Sequence, residues 1–117
     1  MELDKDLFCD MVKFYGNAFH LPPLAAKIYS YLIFDFERKG VPFEEFVEVF
    51  SASKSAVSSN LNLLLNLKII SDFNRIDERK RFFIMNNKFM KIRFGEIITR
   101  MEDELSILNK LKDFLMT

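Results

Sequence analysis

The stretch Glu44–Ile70, EEFVEVFSASKSAVSSNLNLLLNLKII, decides how the rest of the chain is read. Over residues 43–50, Phe43, Phe46, Val47 and Phe50 recur at helical spacing and predict a short helix with those side chains inward. Glu44, Glu45 and Glu48 face out, and the early glutamates suit the N-terminal dipole. Ser51-Ala52-Ser53 is a tight polar turn, with Ser53 placed to cap a second helix running to about Leu67. Val57, Leu61 and Leu64 fall at i, i+4 and i+7, where Phe46 and Phe50 can brace them. The opposite face holds Ser55, Ser59, Asn62 and Asn66, with Ser58 at its edge. Solvated helix faces are usually rich in Glu and Lys, because Ser and Asn are poor helix formers. Short polar side chains do suit a helix that must lie deep in a DNA major groove. The free N–H groups at Ser53, Lys54 and Ser55 suit a phosphate.

Upstream, Leu7, Met11, Phe14 or Tyr15, and Ala18 predict a helix over 4–19, capped by Asp4 or Asp6. Leu21-Pro22-Pro23 breaks it. Pro23 then opens a helix to about Glu37 that is apolar on most sides, including Ile28, Tyr31, Leu32, Phe34 and Phe36, as expected of a central helix. Gly40 reads as its C′ residue, and Val41-Pro42 as an extended link. Downstream, 69–74 and 80–85 read as two short strands joined by the charged tip Arg75–Arg79. Arg79 and Arg81 alternate with Lys80, which makes one side of that strand doubly basic. Arg75 joins them from the other strand, while Asp77 and Glu78 dilute the potential. From Asn87 onward Met90, Phe94, Ile97, Met101, Leu105, Leu108, Leu111 and Leu115 recur every three or four residues. They predict one amphipathic helix of roughly 45 Å.

The order is helix, helix, short helix, tight turn, helix, strand, charged tip, strand, long helix. It predicts a mainly α fold with a small two-stranded β-wing: a winged helix-turn-helix domain over 21–86. An N-terminal helix (1–20) and a C-terminal dimerisation helix (87–117) flank it. Residues 24–85 resemble the MarR superfamily, and its GbsR-type branch most of all. Pro22-Pro23-Leu24-Ala25-Ala26-Lys27-Ile28-Tyr29 is similar to that branch's Pro-x-x-Ala-x-x-Ile-Tyr helix start. Ser53, Lys54, Val57, Ser58, Leu61 and Leu64 fill the places of its recognition-helix pattern, and Arg79-Lys80-Arg81-Phe82 matches a common wing run. The chain departs from the pattern at Ser59, where the family usually has Arg, and at Lys68 and near Asp77, where it usually has Gly. Loss of the Arg removes the commonest bidentate guanine contact and leaves base readout to Asn62 and the serines.

The resemblance implies a bacterial, cytoplasmic homodimer that binds a pseudo-palindromic double-stranded operator, by default as a repressor. Ser53, Lys54, Ser55, Ser58, Ser59 and Asn62 are expected in the major groove, and Arg75, Arg79, Lys80 and Arg81 at the wing contact. Met101, Leu105, Leu108, Leu111 and Leu115 are expected to pair with a second copy, because a stripe of that length has no partner within so short a chain. Phe8, Tyr15 and Phe19 of the first helix are expected on the same partner. The family also implies a small-molecule effector. A cationic one would want an aromatic cage, for which Phe14, Tyr15, Phe19, Tyr29 and Phe34 are candidates.

Totals bound the alternatives. The chain has 117 residues, half of them hydrophobic, with 3 Gly and 3 Pro. That suits one domain and a helical fold. Cys9 is the one cysteine, so no intrachain disulfide forms, and it is read as a plain reduced thiol in preference to a redox sensor, which would want a resolving cysteine. His20 reads as a loop residue. One His, one Cys and no Gly-rich loop argue against an enzyme, a metal or a cofactor. No stretch is long and apolar enough for a membrane span. Net charge is zero, which favours the rival reading, a winged helix that binds protein. Its distribution does not: residues 51–93 carry 9 basic and 3 acidic side chains, residues 1–50 carry 5 and 9, and residues 94–117 carry 3 and 5. Association with DNA depends on the local potential.

Overall fold

The computed structural model describes residues 3–35, 37–76 and 78–117. Phe36 and Asp77, both named above, lie outside them. The elements are α1 (Lys5–Ala18), α2 (Pro23–Phe34), β1 (Val41–Pro42), α3 (Phe43–Phe50), α4 (Lys54–Asn66), β2 (Ile70–Asn74), β3 (Arg81–Met85) and α5 (Asn87–Leu115). Chain contacts divide them into two units, residues 1–86 and 87–117.

In the first unit, α2 is central. It packs against α1, α4 and β3, which is why its sequence is apolar nearly all round. Ala25, Ile28, Tyr29 and Leu32 of α2 are buried with Phe46 of α3, Val57, Leu61 and Leu64 of α4, and Phe83 of β3. Asp4 caps α1 by accepting from the Leu7 amide at 3.1 Å.

The sheet is antiparallel with β3 in the middle. On one side β2 pairs with it, from Ile70 opposite Met85 to Asn74 opposite Arg81. On the other, Val41 lies opposite Phe83 and Pro42 opposite Phe82. The wing is therefore part of a three-stranded sheet, not a two-stranded one, and Val41-Pro42 is a strand rather than a link. Proline is tolerated there because β1 is an edge. Phe82 and Phe83 are both buried, one against each face of the sheet: Phe83 meets Phe46 at 6.1 Å and Phe82 meets Phe73 at 5.7 Å between ring centroids.

Two further expectations are corrected. α2 stops at Phe34, short of Glu37, and Gly40 is not its C′ residue. The buried Asp35 ends the helix instead, accepting hydrogen bonds from the Lys39 and Gly40 amides at 3.2 and 2.9 Å. Such a side-chain turn competes with continued helix. Phe8 of α1 contacts Phe34 and Phe50, and Tyr15 and the cap residue Phe19 both meet Tyr29, while all three stay partly exposed.

Lys68, after the end of α4, takes a left-handed conformation, with φ +63°. Its amide donates to the Leu65 carbonyl at 3.0 Å. A side chain in that region costs about 1 kcal/mol or more, part of which glycine returns as unfolded-state entropy. Lys68→Gly is expected to stabilise the protein by about 0.5–1 kcal/mol, read as a higher urea midpoint at unchanged slope. A lower midpoint would show that the Lys68 side chain contributes more than the turn costs.

The second unit is α5, 29 residues long. It carries an Arg93–Glu96 ion pair at 3.5 Å, and its last turn is closed by the Thr117 hydroxyl, which donates to the Phe114 carbonyl at 2.7 Å.

Candidate nucleic-acid interface

α3, the turn and α4 form the helix-turn-helix. Ser51 ends α3 in a left-handed conformation, φ +48°. Its amide and that of Ala52 return to the Glu48 and Val47 carbonyls. Ser53 is extended, and its hydroxyl accepts from the Ala56 amide at 3.1 Å, capping α4. The inner face of α4 is Val57, Leu61 and Leu64, all buried, with Phe46 fully buried beneath them. One contact was missed by the sequence reading. Glu45 does not face out: it is half-buried, and its carboxylate accepts a hydrogen bond from the Tyr31 hydroxyl. Burial first, and that carboxylate second, hold the Tyr31 phenol above its ordinary range. The bond ties α3 to α2, and nothing in the spacing of the three glutamates distinguishes Glu45 from Glu44 or Glu48.

On the outer face, Lys54, Ser55, Ser58, Ser59, Asn62 and Asn66 are all exposed. Ser55 lies 3.3 Å from the Ser53 hydroxyl. Among the described residues, Ser58, Ser59 and Asn62 make no side-chain hydrogen bond, whereas Asn60 turns inward and donates to the Ala56 carbonyl at 2.7 Å. The structure thus brings together on one face the α4 residues expected in the groove, opposite the buried Val57, Leu61 and Leu64.

The wing arginines divide into two classes. Arg81 donates from Nε and Nη2 to one oxygen of Asp72, at 2.9 and 2.6 Å, and its guanidinium lies 5.1 Å from the Phe83 ring centre. Arg75 donates to the Lys39 carbonyl at 2.7 Å and lies 4.0 Å over the Phe82 ring. Both have partners within the chain. Arg79 and Lys80 precede β3, so the strict strand alternation expected for Arg79 and Arg81 does not apply. Their side chains are exposed, with no ion pair to any described residue. The Asn74 amide donates to both of their carbonyls, at 3.1 and 3.0 Å, and braces the turn. With Arg81, Phe43, Glu44 and Phe83 they line a shallow cleft beside the start of α3.

Of the candidate cage residues, Phe14, Tyr15, Phe19 and Tyr29 are packed on one another, while Phe34 meets Phe8 at 6.2 Å. The Tyr15 and Phe19 rings stack at 6.1 Å, and both meet Tyr29 edge-on, at 5.2 and 5.6 Å. The buried Tyr29 hydroxyl has no hydrogen-bond partner among the described residues. Burial, and secondarily Tyr15, push its phenol well above the ordinary range. Phe14 meets Tyr15 at 5.1 Å. His20 is exposed in the turn after α1, with φ +54°. Cys9 is exposed. In α5, Met101, Leu105, Leu108, Leu111 and Leu115 are all about half exposed or more. Among the described residues no cluster of His, Cys, Asp or Glu is arranged to hold a metal, and no helix is long and apolar enough to cross a membrane.

No family model matches the sequence, and no curated protein does. Solved structures do match the fold. The Staphylococcus aureus MepR–DNA complex superposes with a TM-score of 0.56 over 95% of this chain and 91% of its own, at 16% identity. Wild-type MarR from E. coli gives 0.56 over 97% and 90%, at 13% identity. The regulator Tm0710 from Thermotoga maritima gives 0.56 over 92% and 83%, at 16% identity. At such identities the likeness is one of architecture, and it establishes that this chain has the winged-helix fold of the MarR-type transcriptional regulators.

Proposed function

We propose that the protein is a sequence-specific DNA-binding transcriptional regulator that acts as a homodimer, in the cytoplasm of a bacterium, by default as a repressor. One observation carries this reading: the outward face of the second helix of a helix-turn-helix consists of exposed, largely unbonded Ser and Asn. α4 lies in the major groove, with Ser53, Lys54 and Ser55 at a phosphate and Ser58, Ser59 and Asn62 toward bases. Arg79 and Lys80 serve the wing contact. Arg75 and Arg81 join only by exchanging their internal partners for phosphate. The S. aureus relative of the same fold is a complex with DNA, which supports the assignment. The resemblance in the α2 start, α4 and wing motifs supports placement near the GbsR-type branch and a small-molecule effector, with Tyr15, Phe19 and Tyr29 as its candidate contacts.

The test is fluorescence anisotropy with the DNA upstream of the protein's own gene against scrambled DNA, at two salt concentrations. Specific binding that weakens steeply with salt is expected. The net charge of zero favours a second reading, a winged helix that binds another protein. Absence of binding to either DNA at low salt would select it.

The exposed α5 stripe supports the dimer. Burying a leucine is worth about 1.5–3 kcal/mol, and a charge in its place loses that and adds a desolvation cost. Leu108→Glu with Leu111→Glu is expected to weaken dimerisation by ~3 kcal/mol or more, about 150-fold. Sedimentation velocity reads this as a shift from dimer to monomer at micromolar protein. A wild type that is itself monomeric at that concentration would remove the dimer from the proposal.

A further inference from the structure

On the premise that α4 reads DNA, the chemistry of its outward face narrows the class of duplex it can take. Between Lys54 and Asn66 the only charged side chain is Lys54, at the very start of the helix. The exposed positions beyond it are Ser55, Ser58, Ser59, Asn62 and Asn66. The major-groove edge of guanine offers two acceptors, N7 and O6, and is matched by a side chain with two donors, Arg or Lys. None is present at the base-facing positions. The edge of adenine offers one acceptor, N7, and one donor, the N6 amine, and is matched by a carboxamide. Asn62 is an exposed carboxamide with no hydrogen bond to any described residue, while Asn60 is already committed to the Ala56 carbonyl. Ser58 and Ser59, one turn before Asn62 on the same side, are short enough to let the helix approach.

We infer that Asn62 pairs with an adenine in the major groove and so selects an A·T pair at the position it faces in each half-site.

The experiment is selection of the full chain on a random duplex library, followed by anisotropy on the enriched site and on single-pair replacements. An A·T pair is expected at the position that faces Asn62. Replacing the A·T pair that faces Asn62 by G·C should weaken binding about 5- to 150-fold. Asn62→Ala should make that position indifferent without changing the salt slope, and Asn62→Gln, which keeps the carboxamide, should restore part of the preference. A G·C pair enriched at the position that faces Asn62, or an A·T preference there that survives Asn62→Ala, overturns the inference while leaving α4 as a DNA-reading helix. If no duplex is enriched and no salt-dependent binding is seen at all, the failure lies in the DNA-binding reading on which the inference rests.

Discussion

Ser59→Glu is expected to abolish operator binding while leaving the fold intact. Ser59 is exposed and its hydroxyl bonds to no described residue. Glutamate is also the better helix former, so stability should move by less than ~0.5 kcal/mol. On DNA the new carboxylate lies among phosphates and base acceptors, where like-charge contact costs several kcal/mol. A loss of about 100-fold or more in affinity follows, for specific and non-specific duplex alike. Anisotropy measures the loss, and a thermal melt run beside it separates recognition from unfolding. Retained affinity in a folded variant would place the DNA, if bound at all, away from α4. The neutral change Ser59→Ala should cost far less, because one hydroxyl is a small part of the readout.

The largest effect on stability is expected from Gly40→Ala. Gly40 has φ +93°, and a Cβ there would stand 2.8 Å from the Phe73 ring and 2.9 Å from Phe82 Cβ. The conformation costs an alanine about 1–2 kcal/mol. The contacts add about 1–3 kcal/mol of overpacking, because the stacked pair of Phe73 and Phe82 has little room to give. A total of about 2–4 kcal/mol is a large share of the ~5–15 kcal/mol that holds a domain together. The melting temperature should fall by on the order of 10 °C. DNA affinity measured well below that temperature should fall too, since Phe73 and Phe82 form the base of the wing. A melting temperature unchanged within ~2 °C would mean that the backbone around Gly40 yields more easily than its contacts indicate.

The parts of the molecule legible in the sequence are those with local, periodic signals. α4 and its cap follow from Ser53 and from Val57, Leu61 and Leu64 on one face. α5 follows from its repeat. What escaped depends on partners distant in sequence. β1 is two residues long, too short for alternation to show, and its partner is β3. The end of α2 lies in a run, LIFDF, whose apolarity argues for continued helix. What stops it is a carboxylate satisfying two amides four and five residues later. Glu45 reads as a solvent residue until Tyr31 is placed against it. The candidate interface divides in the same way. Residue type marks Arg75, Arg79, Lys80 and Arg81 equally as cations, but Arg81 is engaged because the pairing of β2 with β3 sets Asp72 near it, and Arg75 because the Lys39 carbonyl lies beside the wing.

The Arg75 contact bears on the thermodynamics of association as well as on its geometry. A long side chain immobilised at an interface forfeits roughly 0.5–1.5 kcal/mol of rotamer freedom. Arg75 has already met that cost during folding, held by the Lys39 carbonyl and the Phe82 ring, and Arg81 likewise by Asp72. The base of the wing therefore arrives at a partner with its entropy spent, and only Arg79 and Lys80 remain to be ordered. Removing the internal partner, as Asp72→Ala would for Arg81, transfers ordering from folding to binding. It should appear in calorimetry as a more unfavourable entropy of association even if every contact to the partner is kept.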